Sequence, residues 1–260
     1  MTDYQNVNYA VKNRVATIAL NRPETLNAFS QGLRQDLLAT LTLAVGDDDV
    51  RIIILTGEGR GFSSGADLTE DTSKYPSFVE QCEAEYKPFL MAMENSPKLI
   101  IAAVNGVAAG IGSAVVMHCD LVMMADDAYI YQAFSAIGLM PDGGATQLLV
   151  QRLGYHRALQ LAVDAGRLTA TECVDLGLAN KQVARQSLRQ EAQQWAEHLA
   201  QGAPLAQQFA KQLMRKSALM SYSEVVDEEA VLQSKCIASE DAKIGITAFL
   251  NKHKATFIGK

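Results

Sequence analysis

Two glycine-rich turns, GEGRGFSSGAD (57–67) and NGVAAGIG (105–112), directly follow apolar runs, Arg51–Thr56 and Leu99–Val104. Glycine lets backbone approach a ligand closely and adopt positive φ. Such turns after buried strands therefore suit the binding of an anion or oxyanion by main-chain N–H groups. Neither turn is a P-loop, because both lack the lysine of GxxxxGK[ST], and neither has the GxGxxG spacing of a dinucleotide site. Nucleoside triphosphates and NAD are thereby disfavoured. Gly61-Phe62-Ser63-Ser64-Gly65 does spell GxSxG, the nucleophile elbow of many serine hydrolases. An elbow serine sits at the immediate end of its strand, however, and GEGRGF intervenes here. Further along, Met140-Pro141-Asp142-Gly143-Gly144 is a strong turn, and its aspartate also suits the N-cap of a following helix. His118, His156, His198 and His253 have no metal or triad spacing, and Cys82, Cys119, Cys173 and Cys236 contain no CxxC.

The elements that must position these turns follow from periodicity. Strand-like runs occur at Val15–Leu20, Arg51–Thr56, Leu99–Val104 and Leu121–Ala125, with helical spacing over Ser30–Val45. Strands alternating with helices predict an α/β core. From about Gly144 the signals are nearly all helical: Ala145–Leu153, Tyr155–Ala165, and a short helix that opens on a Thr169…Glu172 capping box and ends at Gly177. Helical stretches Ser187–Ala200, Pro204–Leu219 and Ser223–His253 complete the chain. Leu99–Met117 is long and apolar enough for a bilayer, and Gly106 with Gly110 forms GxxxG. Its asparagine and three glycines fit a buried strand, turn and helix better.

At 260 residues, 48% hydrophobic and 20% charged, the chain can bury a full core. A net charge of −6, with a pI near 5.3 and mean hydropathy of +0.01, argues against nucleic acid and membrane as main partners. MTDYQNVNYAVKNR lacks the apolar centre of a signal peptide. The expectation is a reduced, cytoplasmic protein without structural metal.

Four segments, NRPETLNAFS (21–30), GEGRGFSSGADL (57–68), AAVNGVAAGIGSAVVMHCDL (102–121) and FSAIGLMPDGGATQLLVQRLG (134–154), resemble successive signatures of the crotonase family, also called enoyl-CoA hydratase/isomerase. Order and spacing match, and ITAFLNKHKATF (246–257) is similar to the family's C-terminal helices. The resemblance implies an α/β spiral of ββα units over residues 1–200 and a helical trimerisation region over 201–260. It implies a homotrimer or dimer of trimers acting on an acyl-CoA thioester, with coenzyme A as part of the substrate and no separate cofactor or metal. It also implies that the Ala66 and Ile111 N–H groups hold the thioester oxygen. Leu26, Ala28, Ser64, Ala66, Asp67 and Leu68 would line the CoA arm, and Ile111 and Phe134 would meet substrate; Lys260 and Lys252 read either as contacts to CoA phosphates across a subunit boundary or as solvated surface charges.

The chain departs from the hydratase pattern where chemistry is decided. Hydratases place two carboxylates at the positions of Ala114 and Phe134, and neither residue here transfers a proton. Asp142 stands where isomerase members carry an acid after proline, so the resemblance assigns it general base and acid. Phe134, Ile137 and Met140 are expected to surround it and raise its pKa. The sequence is similar both to Δ3,Δ2-enoyl-CoA isomerases and to the ring-epoxide isomerases of phenylacetyl-CoA degradation. Alternatives left open are a hydratase using other acids such as Glu70 or Asp71, a silent CoA-binding member, and a GxSxG hydrolase. Phe89, Met91 and Met93 read as acyl-pocket lining or as core.

Overall fold

The structure is a computed structural model and describes residues 4–260. β1 (Val7–Lys12) and β2 (Val15–Leu20) form a hairpin whose two-residue turn, Asn13 and Arg14, has positive φ at both positions. That turn geometry matches the twist of the flanking strands. α1 (Gln31–Gly46) starts where the Ser30 side chain accepts from the Leu33 N–H, and it buries Leu33, Leu37, Leu41 and Ala44 on one face. β3 (Ile52–Gly57) follows. A helical segment then runs as α2 (Phe78–Gln81), a π-helical turn over Cys82–Tyr86, and α3 (Lys87–Glu94).

β4 (Leu99–Val104), β5 (Val107–Ala109), α4 (Ile111–His118) and β6 (Leu121–Ala125) come next, followed by β7 (Tyr129–Tyr131). The long apolar stretch is thus strand, turn, strand and helix, and no described helix is long and apolar enough to cross a membrane. Beyond it lie α5 (Ala145–Leu153), α6 (Tyr155–Val163), β8 (Arg167–Thr169), α7 (Ala170–Asp175) and β9 (Lys181–Val183). Four more helices end the chain: α8 (Leu188–Leu199), α9 (Pro204–Ser217), α10 (Tyr222–Ile237) and α11 (Glu240–Leu250).

The larger sheet has the order β1-β2-β3-β4-β6-β9, parallel except for the first hairpin. A second sheet, β5-β7-β8, carries one parallel and one antiparallel pairing. β3 is buried along its whole length and β4 at every residue but the first, which explains why they read as unbroken apolar runs.

Three expectations need correction. β1 lies on the sheet edge with mostly exposed residues and gave no strand signal. β8 and β9, three residues each and largely exposed, fall within the stretch expected to be helical. The single C-terminal stretch over 223–253 is two helices, because Ser239 caps α11 by accepting from the Ala242 N–H. The Thr169–Glu172 capping box forms as expected.

Candidate active site

The two glycine turns lie side by side. Ser63 pairs with Ala108 in a parallel bridge, with Ser63 N–H donating to Val107 O (3.0 Å) and Ala109 N–H to Ser63 O (2.9 Å). Counting three residues on from each bridge partner reaches Ala66 and Ile111. Each follows a glycine at positive φ, Gly65 (105°) and Gly110 (51°), a conformation that strains any residue with a Cβ. The turns touch there, since a Cβ on Gly65 would lie 3.2 Å from the Ala109 carbonyl oxygen. Among the described residues, neither the Ala66 N–H nor the Ile111 N–H donates to a protein acceptor. Ile111 opens α4, where the first-turn amides have no intrahelical partner and the helix dipole favours negative charge. Two free amides on adjoining turns can donate together to one oxygen.

The 22–30 segment is tied to the first turn. Ser64 N–H donates to Leu26 O (2.8 Å), Phe29 N–H to Gly65 O (2.8 Å), and Asp67 N–H to Phe29 O (3.3 Å). Leu26, Ala28, Ser64, Ala66, Asp67 and Leu68 therefore come together on two stitched strands of loop. Ala28 is buried, whereas Ser64, Ala66 and Leu68 are exposed. The Asp67 carboxylate is already engaged: hydrogen bonds from Thr69 and from Arg22 hold its pKa below the usual range despite partial burial.

Asp142 approaches from the turn ahead of α5. A Cβ on Gly143 would fall 2.1 Å from Ile111 Cδ1 and 3.2 Å from the Ala114 Cβ, so this turn packs flush on the first turns of α4. Asp142 is then one residue from a contact with the residue that supplies the second free amide. The N-cap of α5 is Gly144, without any side-chain bond, and the Asp142 Oδ1 atom is buried with no partner. Its turn role is carried by the backbone alone, Ala145 N–H donating to Asp142 O (2.9 Å). Burial pushes the carboxyl pKa up to about 6, and a bond from its own N–H offsets only part of that. Burial raises the pKa values of Cys82 and Tyr86 on the π-helical turn, and the Asp142 charge adds to both shifts.

The expected apolar wall needs partial correction. Phe134 is buried, and its ring reaches toward Gly110, but Ile137 and Met140 are exposed, at 54% and 71%. Ile111 and Ala114 pack against the neighbouring Gly143 instead, and the 3-10 turn at Ser135–Ile137 leaves Ile137 exposed. Ala114 and Phe134 leave no carboxylate at those two positions. Neither alternative acid is free: Glu70 accepts from Gln31 N–H and pairs with Arg34 (2.6 Å), and Asp71 accepts from the Ser73 N–H (2.8 Å). Ser63 is fully buried and donates to Asn27 O (2.8 Å), which removes it as an exposed nucleophile. Phe89 and Met93 are core, and Met91 is exposed.

A buried ion network not found from the sequence holds the 22–30 segment at Phe29. Arg34, 1% exposed, donates to Phe29 O and to Tyr86 Oη (3.0 Å) and pairs with Glu70 and Glu85. Burial alone would raise the Glu85 pKa, but bonds from Tyr75, Lys74 and Arg34 outweigh it and bring it to about 2. A sequence signal existed: Arg34 falls on the apolar face of α1, between Leu33 and Leu37.

The α/β fold thus brings two free amides on adjoining glycine turns and a carboxyl with one buried, unpartnered oxygen to the same end of α4. The enoyl-CoA hydratase/isomerase family profile matches residues 10–260, and the chain belongs to that family. It is 35% identical over 257 residues, covering 99% of each chain, to a Rhodobacter capsulatus protein named "Probable enoyl-CoA hydratase". It is also 35% identical over 254 residues to the 1,2-epoxyphenylacetyl-CoA isomerase of Escherichia coli, covering 96% of this chain and 97% of that one. An enoyl-CoA hydratase subunit structure from Geobacillus kaustophilus superposes with a TM-score of 0.94 at 31% identity, with full coverage of both chains.

Proposed function

We propose that this protein isomerises an unsaturated acyl-CoA, moving a double bond from the 3 to the 2 position. The observation that supports this reading is a buried, unpartnered carboxyl oxygen, Asp142 Oδ1, on the turn that packs against Ile111, with apolar residues at the two hydratase acid positions. The Asp142 carboxylate takes a C2 proton from the 3-enoyl thioester. The C2–H electron pair enters the conjugated system, and negative charge collects on the thioester oxygen, where the Ala66 and Ile111 N–H groups stabilise it. The acid then delivers the same proton to C4, the C3=C4 bond becomes C2=C3, and the carbonyl reforms. No water is consumed, and no cofactor beyond the CoA of the substrate enters the balance.

Ala28, Leu26, Ser64, Asp67 and Leu68 are assigned to the CoA arm, and the buried Phe134 to the acyl side. The name of the Escherichia coli relative favours a second substrate of the same kind, a ring-epoxide acyl-CoA, for which the same carboxyl and amides serve. Assembly as a homotrimer or a pair of trimers is supported by apolar residues exposed on the last helices, among them Tyr222, Ile246, Phe249 and Leu250. A groove of about 670 Å³ between α9 and α10 adds to this surface. Light scattering should then give three or six times the 28.1 kDa chain mass.

The deciding experiment is to offer 3-hexenoyl-CoA, crotonyl-CoA and an epoxyphenylacetyl-CoA side by side to the pure protein. Conversion of the first or third with little hydration of the second supports the reading. Rapid hydration of crotonyl-CoA would sink it, and CoA binding without turnover of any of them would point to a silent member.

A further inference from the structure

The Ile111 N–H belongs to the peptide unit whose carbonyl is that of Gly110, and this carbonyl accepts three bonds. They come from the Ser113 hydroxyl (2.6 Å), the Ser113 N–H (2.9 Å) and the Ala114 N–H (3.2 Å). A hydroxyl that gives its one proton to Gly110 has only lone pairs left, and Gln132 Nε2 donates to it at 2.8 Å. Ser113 and Gln132 are both fully buried. Gln132 directly follows β7, its N–H bonded to Gly166 O (2.9 Å), while the neighbouring Tyr131 O accepts from the Gly110 N–H (3.0 Å). The small sheet thus holds both ends of the relay. The Gln132 Oε1 atom is buried without a partner, a cost tolerated while the amide's donor end serves Ser113.

We infer that Ser113, backed by Gln132, is a positioning residue for the proposed reaction: its hydroxyl fixes and polarises the Gly110–Ile111 peptide so that the Ile111 N–H meets the thioester oxygen already oriented. Donors on the carbonyl side of a peptide strengthen donation from its N–H side, and a preorganised amide needs no reorganisation as charge develops. The peptide behind Ala66 is held differently, its Gly65 carbonyl accepting from the Phe29 N–H (2.8 Å). Ile111 is therefore the more polarised donor of the two. The inference rests on the reading of Ala66 and Ile111 as donors to the thioester, and the test separates the two.

2,4-Hexadienoyl-CoA absorbs at longer wavelength when its carbonyl is polarised by hydrogen bonds, so its difference spectrum on binding reports donor strength directly. Wild-type protein should shift the band to the red, and absence of any shift would defeat the donor reading itself together with this inference. With the wild-type shift in hand, Ser113→Ala should shrink it. The same variant should lower kcat for 3-hexenoyl-CoA by roughly tenfold, a fraction of what losing a whole donor does, with KM within about twofold. Gln132→Leu should follow in the same direction by about threefold, because it acts one bond further away. Ser113→Cys preserves shape with a weaker donor and should fall between Ala and wild type; it carries the test if Ser113→Ala does not fold. A full red shift in Ser113→Ala, or in Ser113→Cys when that is the measurable variant, overturns the inference whatever happens to kcat.

Discussion

Glu85, a buried carboxyl, and Asp142, a half-buried one with a buried Oδ1, both act on Tyr86, and their pKa values lie at opposite ends of the acidic range. Glu85 receives Arg34, Lys74 and Tyr75, and its pKa falls to about 2; Asp142 leaves Oδ1 unpaired, and its pKa rises to about 6. Burial pushes both upward, so the difference lies in the partners. A carboxylate that is fully satisfied holds structure together, and one that is buried yet unsatisfied is ready to take a proton near neutral pH. The first ties α1, the 67–75 loop and the π-helical turn together.

The sharpest way to break this contrast is Arg34→Leu, which leaves Glu85 buried without its main cation. Unfolding by urea should show a loss of about 3–5 kcal/mol, and an unchanged midpoint would demote the network. Asp142→Asn should reduce isomerisation at least about a hundredfold, the usual scale for a general base. Near-wild-type turnover would return the residue to a turn role.

The same Asp142→Asn change should stabilise the fold. The folded pKa of about 6 lies above the ordinary 3.8, so folded protein binds more protons between those values and loses stability as pH rises through them. Removing the charge should recover about 2–3 kcal/mol at pH 7.5, a gain of roughly 5 °C or more in Tm, and next to nothing below about pH 3. Glu85 has the opposite sign: its contribution is full above its ordinary 4.5 and fades as pH falls toward about 2. The smallest effect is in wild-type kcat/KM, which should rise about fivefold from pH 5 to pH 6, about twofold more to pH 7, and then level off as Asp142 ionises. A profile flat down to pH 4 would contradict the raised pKa.

Much of the frame was legible because it is local. Ser30, Thr169 and the apolar runs of β2, β3, β4 and β6 announce themselves within a few residues. The glycine turns and Asp142 were legible by residue type. The edge strand β1 and the three-residue strands β8 and β9 were not, since short exposed segments have no burial pattern to display. The Arg34–Glu85 pair joins residues 51 apart, and Ser113–Gln132 joins residues 19 apart, with no periodicity to connect them.

The residue types at Ala114, Phe134 and Asp142, and the glycines ahead of Ala66 and Ile111, were determined by the sequence alone, and with them the repertoire of groups able to move a proton or hold an oxyanion. Only the tertiary structure decided that the two turns bridge in register and that Ile111 packs on Gly143. It also decided that Asp142, not Glu70 or Asp71, keeps a buried oxygen without a partner. The physical reason is that a carboxyl's reactivity is set by desolvation and by the donors within bonding distance, and both depend on contacts between segments far apart in the chain.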